Sequence, residues 1–162
     1  MAEPHTTDLT QARSAILYRE KLYPSVGVWF FVLFVAGATL LALLPINLPV
    51  AIAGCIAVTA AVAIAFIAAS PVIMVTRDAF TAGKARIEHQ YLGDIEAYDG
   101  DAATAERGTR LHGLAYLCIR GWVSPVVKVF VVDDADTTPY WLVSTRHPLD
   151  VVKALQEARE AL

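Results

Sequence analysis

Charge is missing from a long central stretch of this chain. The 55 residues from Leu22 to Thr76 contain no Asp, Glu, Lys or Arg, although charged residues make up 18% of the 162-residue sequence. A soluble core helix never needs so long an uncharged run. Two membrane spans do, since each takes about 20 residues to cross ~30 Å of hydrocarbon as helix. Because neither span carries a charge, nothing suggests a proton relay or an ion path through them. Cysteine is scarce as well: Cys55 lies inside the uncharged stretch and Cys118 far beyond it. Their environments differ too much for a bridge, and a cytoplasmic domain keeps its thiols reduced. An excess of cations is the third absence. The formal net charge is −3, and from Arg77 onward 13 acidic residues outnumber 10 basic ones. Such a domain is repelled by phosphate backbones, which excludes nucleic acid as a partner. It gains nothing as a whole from anionic lipid headgroups, so only a local basic patch would serve a phosphoinositide.

What is present is apolar residue, 56% of the total. The first expected transmembrane helix covers residues 26–44 and the second 50–69, with "PINLP" between them as a tight turn. A connection so short makes an antiparallel hairpin and puts both chain ends on one side. Arg13, Arg19 and Lys21 precede the hairpin, Arg77, Lys84 and Arg86 follow it, and the turn carries no charge. The positive-inside rule then places both termini in the cytoplasm. Tyr18, Tyr23 and Trp29 fit an interfacial aromatic belt. A cleaved secretory signal fits poorly, because the apolar run is too long and no small-x-small site follows it.

Residues 1–25 read as a cytoplasmic tail with a short amphipathic helix over 9–22, turning Ile16 and Leu17 toward the membrane. Residues 71–162 change character and read as a cytoplasmic α+β domain. "VIMVT", "AFTA", "ARIEH", "LGDIEAYDG", "LAYLCIR", "VVKVFVV" and "PYWLVST" are short strands punctuated by turn residues. "DAATAERGTRLHG" is a polar helical turn or loop. "HPLDVVKALQEAREAL" is an amphipathic helix with Val151, Leu155, Ala158 and Leu162 on one face. Six or seven strands closed by one C-terminal helix match a PH-like β-barrel or sandwich, a likeness of architecture that does not by itself give function.

The run "TTPYWLVSTRHPLD" holds the residue types of a hydrolase triad, Ser144, His147 and Asp150. A triad draws its base and acid from separate elements and needs them at hydrogen-bond distance. Three residues at successive three-residue intervals across a strand-to-helix junction seldom achieve that, and no G-x-S-x-G elbow surrounds Ser144. Pro148 favours an extended His147 and opens a helix, and Asp150 then meets the free N–H groups of the first turn. The expectation is a strand end and a helix cap, with no catalytic residue. His89 and His112 lack any metal-ligand spacing, and "DDADTT" lacks the glycine and terminal Glu of an EF-hand loop, so neither a metal nor another cofactor is expected.

Two groups remain as interaction candidates. Trp122, Tyr140, Trp141 and Arg146 form a polar-aromatic set suited to a protein contact, with core packing the alternative for the aromatics. Ala53, Ala57, Ala61, Ala65 and Ala69 repeat every fourth residue as a small-residue ridge, of the kind that lets helices approach closely in a bilayer. Gly37, Ala38 and Ala42 of the first span are its nearest expected partners, in competition with another membrane protein or a second copy.

Three pieces, "YREKL" at 18–22, "RGWV" at 120–123 and above all "DTTPYWLVSTRHP" at 136–148, resemble a bacterial two-span membrane family, domain of unknown function 3093. Thr137 departs from the proline more usual there. The resemblance spans about residues 13–160 and implies a multi-pass plasma-membrane protein, while it carries over no activity, cofactor or catalytic residue. The expected role is a non-catalytic, membrane-tethered scaffold or accessory protein acting through protein contacts. A membrane-tethered hydrolase or transferase, or a module sensing lipid headgroups through Lys84, Arg86, Lys128 or Arg146, are the alternatives.

Overall fold

The computed structural model describes residues 15–133 and 135–161. They fall into two compact units, one formed by residues 23–70 and the other by the segments on either side.

The smaller unit is a pair of helices, α1 (Val26–Leu43) and α2 (Leu48–Ala68), each long and apolar enough to cross a membrane. Asn47 caps α2, its Oδ1 accepting from the Val50 amide at 2.9 Å. Pro49 sits in the first turn of that helix, where a missing N–H costs nothing. The proline expected to interrupt the helix therefore helps to start it. Along α1 the least exposed residues are Val28, Val32, Val35, Ala36, Thr39, Leu40 and Leu43, and along α2 they include Ala51, Cys55, Thr59, Val62, Ala63 and Phe66. Both sets follow helical spacing and define the seam between the helices. Ala53, Ala57, Ala61, Ala65 and Ala69 are all exposed, as are Gly37, Ala38 and Ala42. The alanine ridge is thus turned away from the other span, and its expected pairing with Gly37, Ala38 and Ala42 is corrected. A different face of α2, mixing small and large side chains, makes the seam: Cys55 Sγ lies 3.4 Å from the Ala36 carbonyl, and Phe31 and Phe66 meet edge to face at 6.5 Å between ring centroids.

The larger unit is an α+β assembly of two four-stranded sheets and a C-terminal helix. Its first strand, β1 (Ile16–Lys21), lies before the helix pair, and its second, β2 (Val72–Thr76), lies after it. The two are antiparallel neighbours, with Glu20 opposite Ile73 and Lys21 opposite Val72. β3 (Ala79–Ala82) and β4 (Ala85–Glu88) complete an antiparallel sheet in the order β1-β2-β3-β4. The helix pair is consequently an insertion between two paired strands. This corrects the amphipathic helix expected up to Leu22. Residues 9–14 of that segment lie outside the described residues, and from Ile16 onward it is a strand. The governing period is two: Tyr18, Glu20 and Leu22 turn inward while Arg19 and Lys21 turn out. Partners in β2, on the far side of the helix pair, supply the backbone hydrogen bonds that override local helix preference.

The second sheet contains β5 (Leu92–Tyr98), β6 (Tyr116–Cys118), β7 (Val126–Val131) and β8 (Tyr140–Ser144) in the order β5-β7-β8-β6. β6 runs parallel to β8, the other pairings being antiparallel. A short 3-10 turn, His89–Tyr91, links the sheets. A helix α3 (Gly100–Arg107) follows β5, and α4 (Pro148–Glu160) ends the fold. Leu162 of the expected apolar face lies outside the described residues, but Val151, Leu155 and Ala158, joined by Ala154, are buried. They meet Ile73, Val75 and Phe80 of the first sheet and Val127, Val129, Trp141 and Val143 of the second in one core. A smaller core on the opposite face of the second sheet joins Tyr140, Leu142 and Val126 to Ala103 of α3. With a core on each side, all five residues of β8 are buried. That is the signature of a central strand covered on both faces.

Candidate functional site

The hydroxyl of Ser144 is fully buried and engaged twice. It accepts from the Arg120 amide at 3.1 Å and donates to the Val123 carbonyl at 3.4 Å. His147 and Asp150 are exposed, at the start of α4. Ser144 thus sits at a buried strand end, while His147 and Asp150 stand exposed at the start of the helix, where the cap position makes no side-chain cap hydrogen bond. His147 occupies the cap position with Pro148 behind it, and Asp150 lies in the first turn.

The four residues proposed for a contact surface separate in the same way. Tyr140 and Trp141 are 5% and 6% exposed, one in each core, so neither belongs to a surface. Trp141 packs on Tyr116 and Phe80, and the Tyr140 hydroxyl accepts from the His112 amide at 2.7 Å. Burial of β8 on both faces is what removes them. Trp122 is half-buried and donates from Nε1 to the Leu22 carbonyl at 3.3 Å. Arg146 alone of the four is exposed, and its guanidinium reaches Glu20 at 3.6 Å.

Glu20 is the centre that the sequence did not disclose. Its carboxylate accepts from Thr145 Oγ1 at 2.6 Å, from Tyr18 Oη at 2.9 Å and from the Arg146 amide at 3.1 Å. Burial, with Glu20 beside it, pushes the Tyr18 phenol up to about 12. Thr145 is completely buried and its Oγ1 also accepts from the His147 amide at 3.2 Å. One step along β1, the Leu22 amide donates to the Pro71 carbonyl at 3.0 Å, joining the strand that leads into the helix pair to the one that leaves it. The signal in the sequence was parity: a carboxylate between Tyr18 and Leu22, on the inward register of a strand. The three pieces of the family resemblance meet here. Glu20 and Leu22 come from "YREKL", Arg120, Trp122 and Val123 from "RGWV", and Ser144, Thr145 and Arg146 from the last.

A second polar centre lies under α3. Glu106 is 2% exposed and takes Lys128 Nζ at 2.9 Å and Arg110 Nη1 at 3.3 Å. Burial alone would raise its carboxyl; the hydrogen bonds from Lys128 and Arg110 outweigh it and hold the group below the ordinary carboxylate value. Lys128 also lies over the Tyr140 ring, 4.4 Å from its centroid.

The remaining polar candidates are engaged with backbone. His89 Nε2 lies 2.7 Å from the Thr76 carbonyl, and His112 Nδ1 accepts from Leu114 at 3.3 Å. Asp133 and Asp136 accept from Ala135 and Thr138 two residues on, as turn residues do. Among the described residues, no group of three or more His, Cys, Asp or Glu is gathered to hold a metal.

The family model described as "Protein of unknown function (DUF3093)" matches residues 17–155. No curated protein and no solved structure matches the chain.

Proposed function

The chain belongs to the DUF3093 family, and from that premise we propose that it is a multi-pass membrane protein whose two-span hairpin is held by a cytoplasmic β-domain and which works by protein contacts, without catalysis. The observation that carries this reading is the spending of the most distinctive residues on the hairpin's root. Glu20, Trp122, Ser144, Thr145 and Arg146 bond to one another's segments around the β1–β2 pair, and none is left poised over an open site. The hairpin's two helices carry no charge, and the cations flanking them favour termini on the cytoplasmic side. We read the β-domain as PH-like: two sheets share the larger core, and a C-terminal amphipathic helix lies against β1, β2, β5 and β7. α2 turns a stripe of small residues away from its partner span, a surface on which another membrane helix can pack closely.

The test is photo-crosslinking in intact bacterial membranes, with the photoreactive residue at Ala57 or Ala61 on the stripe, or at Arg146 on the β-domain. Reproducible links to one protein species, assigned by mass spectrometry, are expected. Links to lipid alone from all three positions, together with monomeric behaviour in mild detergent, overturn the contact reading. Cysteine accessibility at Ile46→Cys and Asp136→Cys checks the topology, the two positions reacting from opposite sides.

A further inference from the structure

The acidic balance of the sequence conceals a cationic face. Strand register places Arg19 opposite Met74, Met74 opposite Thr81 and Thr81 opposite Arg86, one row across all four strands of the first sheet. Directly paired residues share a face, and this row lies on the face opposite Ile73, Val75, Phe80 and Ile87, which are in the core. Lys21 lies on the same face, two residues beyond Arg19. Lys84 occupies the β3–β4 turn, which is fastened beside Val72 by the Gly83 amide, 2.9 Å from the Val72 carbonyl. Gly83 has φ +67°, so the turn depends on its lack of a Cβ. Four cations from β1, β4 and the turn thereby gather at one end of one face, across a sheet about 14 Å wide at ~4.8 Å per strand.

Two features separate this face from the other cations. Lys128 and Arg110 are tied to Glu106, and Arg146 to Glu20, so acidic groups offset them. Arg19, Lys84 and Arg86 are exposed and make no ion pair with a described residue. Glu88, the acid on the outward register of β4, stands two residues farther from this end and accepts from Gln90 at 2.9 Å.

The end that carries the cations is also the end at which the chain leaves for α1 and returns from α2. Lys21 stands five residues before α1, and its partner Val72 four residues after α2.

We propose that the outer face of the first sheet, through Arg19, Lys84 and Arg86, docks on anionic lipid headgroups of the membrane that the hairpin crosses. The inference rests on the membrane insertion proposed above and goes beyond it, in assigning a lipid class and a set of residues. Charge complementarity selects the occupant: the face is cationic over an apolar and hydroxyl floor of Val72, Met74 and Thr81, with no acid among them. Tethering makes weak contacts effective, since the second binding event is intramolecular. Lys128 and Arg146, grouped with Lys84 and Arg86 by sequence alone, are excluded from the face by their partners.

The full-length protein, with a fluorescent amino acid at Thr81, is to be placed in nanodiscs of phosphatidylcholine with and without phosphatidylglycerol. Quenching by a nitroxide on the lipid headgroup is then read. Strong quenching is expected only with phosphatidylglycerol, weakening with salt and by roughly fivefold for each cation removed in K84Q/R86Q. Both substitutions fall at exposed positions, and thermal unfolding confirms the fold, while the salt series needs no variant. Equal quenching in the two lipids, or no response to salt and to K84Q/R86Q, overturns the proposal. A separate probe at Ile64, read with an acyl-chain quencher, reports insertion. Quenching lost at Ile64 overturns both readings; quenching kept at Ile64 with none at Thr81 overturns lipid docking alone.

Discussion

Glu20 and Thr145, 125 positions apart, are joined by a 2.6 Å hydrogen bond between carboxylate and hydroxyl. That bond ties the strand ahead of the helix pair to the corner between the last strand and the last helix. Thr145→Val keeps the shape and removes the donor, leaving a half-buried carboxylate short of one partner. A loss of about 1–3 kcal/mol is expected in reversible unfolding of the detergent-solubilised protein. Thr145→Ser should restore most of it, and equal stability of the valine and serine variants would contradict the assignment.

Glu106 makes a pH-dependent contribution whose sign follows from its partners. Its folded-state carboxyl is held below the ordinary value near 4.5, so the stabilisation is complete above that value and disappears as pH falls through the lowered one. Lys128→Met removes the closer partner from a side chain only 3% exposed, and about 3–5 kcal/mol should be lost at neutral pH. The acid limb of the stability profile should flatten at the same time. Pairing Lys128→Met with Glu106→Leu should recover much of the loss, which urea titrations across the acid range would reveal.

Ser144 should not react with a fluorophosphonate probe while the protein is folded, because its hydroxyl is buried and bonded to the Arg120 and Val123 backbones. Ser144→Ala should cost about 1 kcal/mol through the orphaned Arg120 amide. Labelling of the native protein at this residue would restore the hydrolase reading.

Cys118 is buried and its thiol is pushed up by that burial, so little thiolate is available near neutrality. A membrane-impermeant maleimide should modify it only on unfolding. Stoichiometric reaction within minutes in the folded state would show that β6 opens.

The two faces of α2 should answer differently to added bulk. Ala51 is completely buried, and Ala51→Leu should destabilise the helix pair by about 1–3 kcal/mol through overpacking. Ala57→Leu, on the outward stripe, should leave the isolated protein's stability unchanged within about 0.5 kcal/mol. Its effect should appear only in the yield of protein crosslinks.

The sequence by itself determined the helix pair, because an uncharged run long enough for two spans is a local property that needs no partner to be read. It determined β2, β3 and β4 and the C-terminal helix for the same reason: period two and period 3.6 are written in consecutive residues. Pro148 and Asp150 announced the start of that helix. Tertiary structure decided the rest. Residues 16–21 are a strand only because β2, on the far side of the helix pair, supplies their hydrogen bonds. Tyr140 and Trp141 are core because two separate cores cover both faces of β8, which no alternation pattern discloses. Ala53, Ala57, Ala61, Ala65 and Ala69 face outward because the face of α2 carrying Ala51, Cys55, Thr59 and Phe66 makes the seam. Glu20 and the cations around Arg19 and Arg86 acquire their meaning from register, since one residue of slip would move each to the opposite face. Local pattern fixes what each segment becomes; which segments lie side by side, and therefore which charges meet, is fixed only by packing at long range.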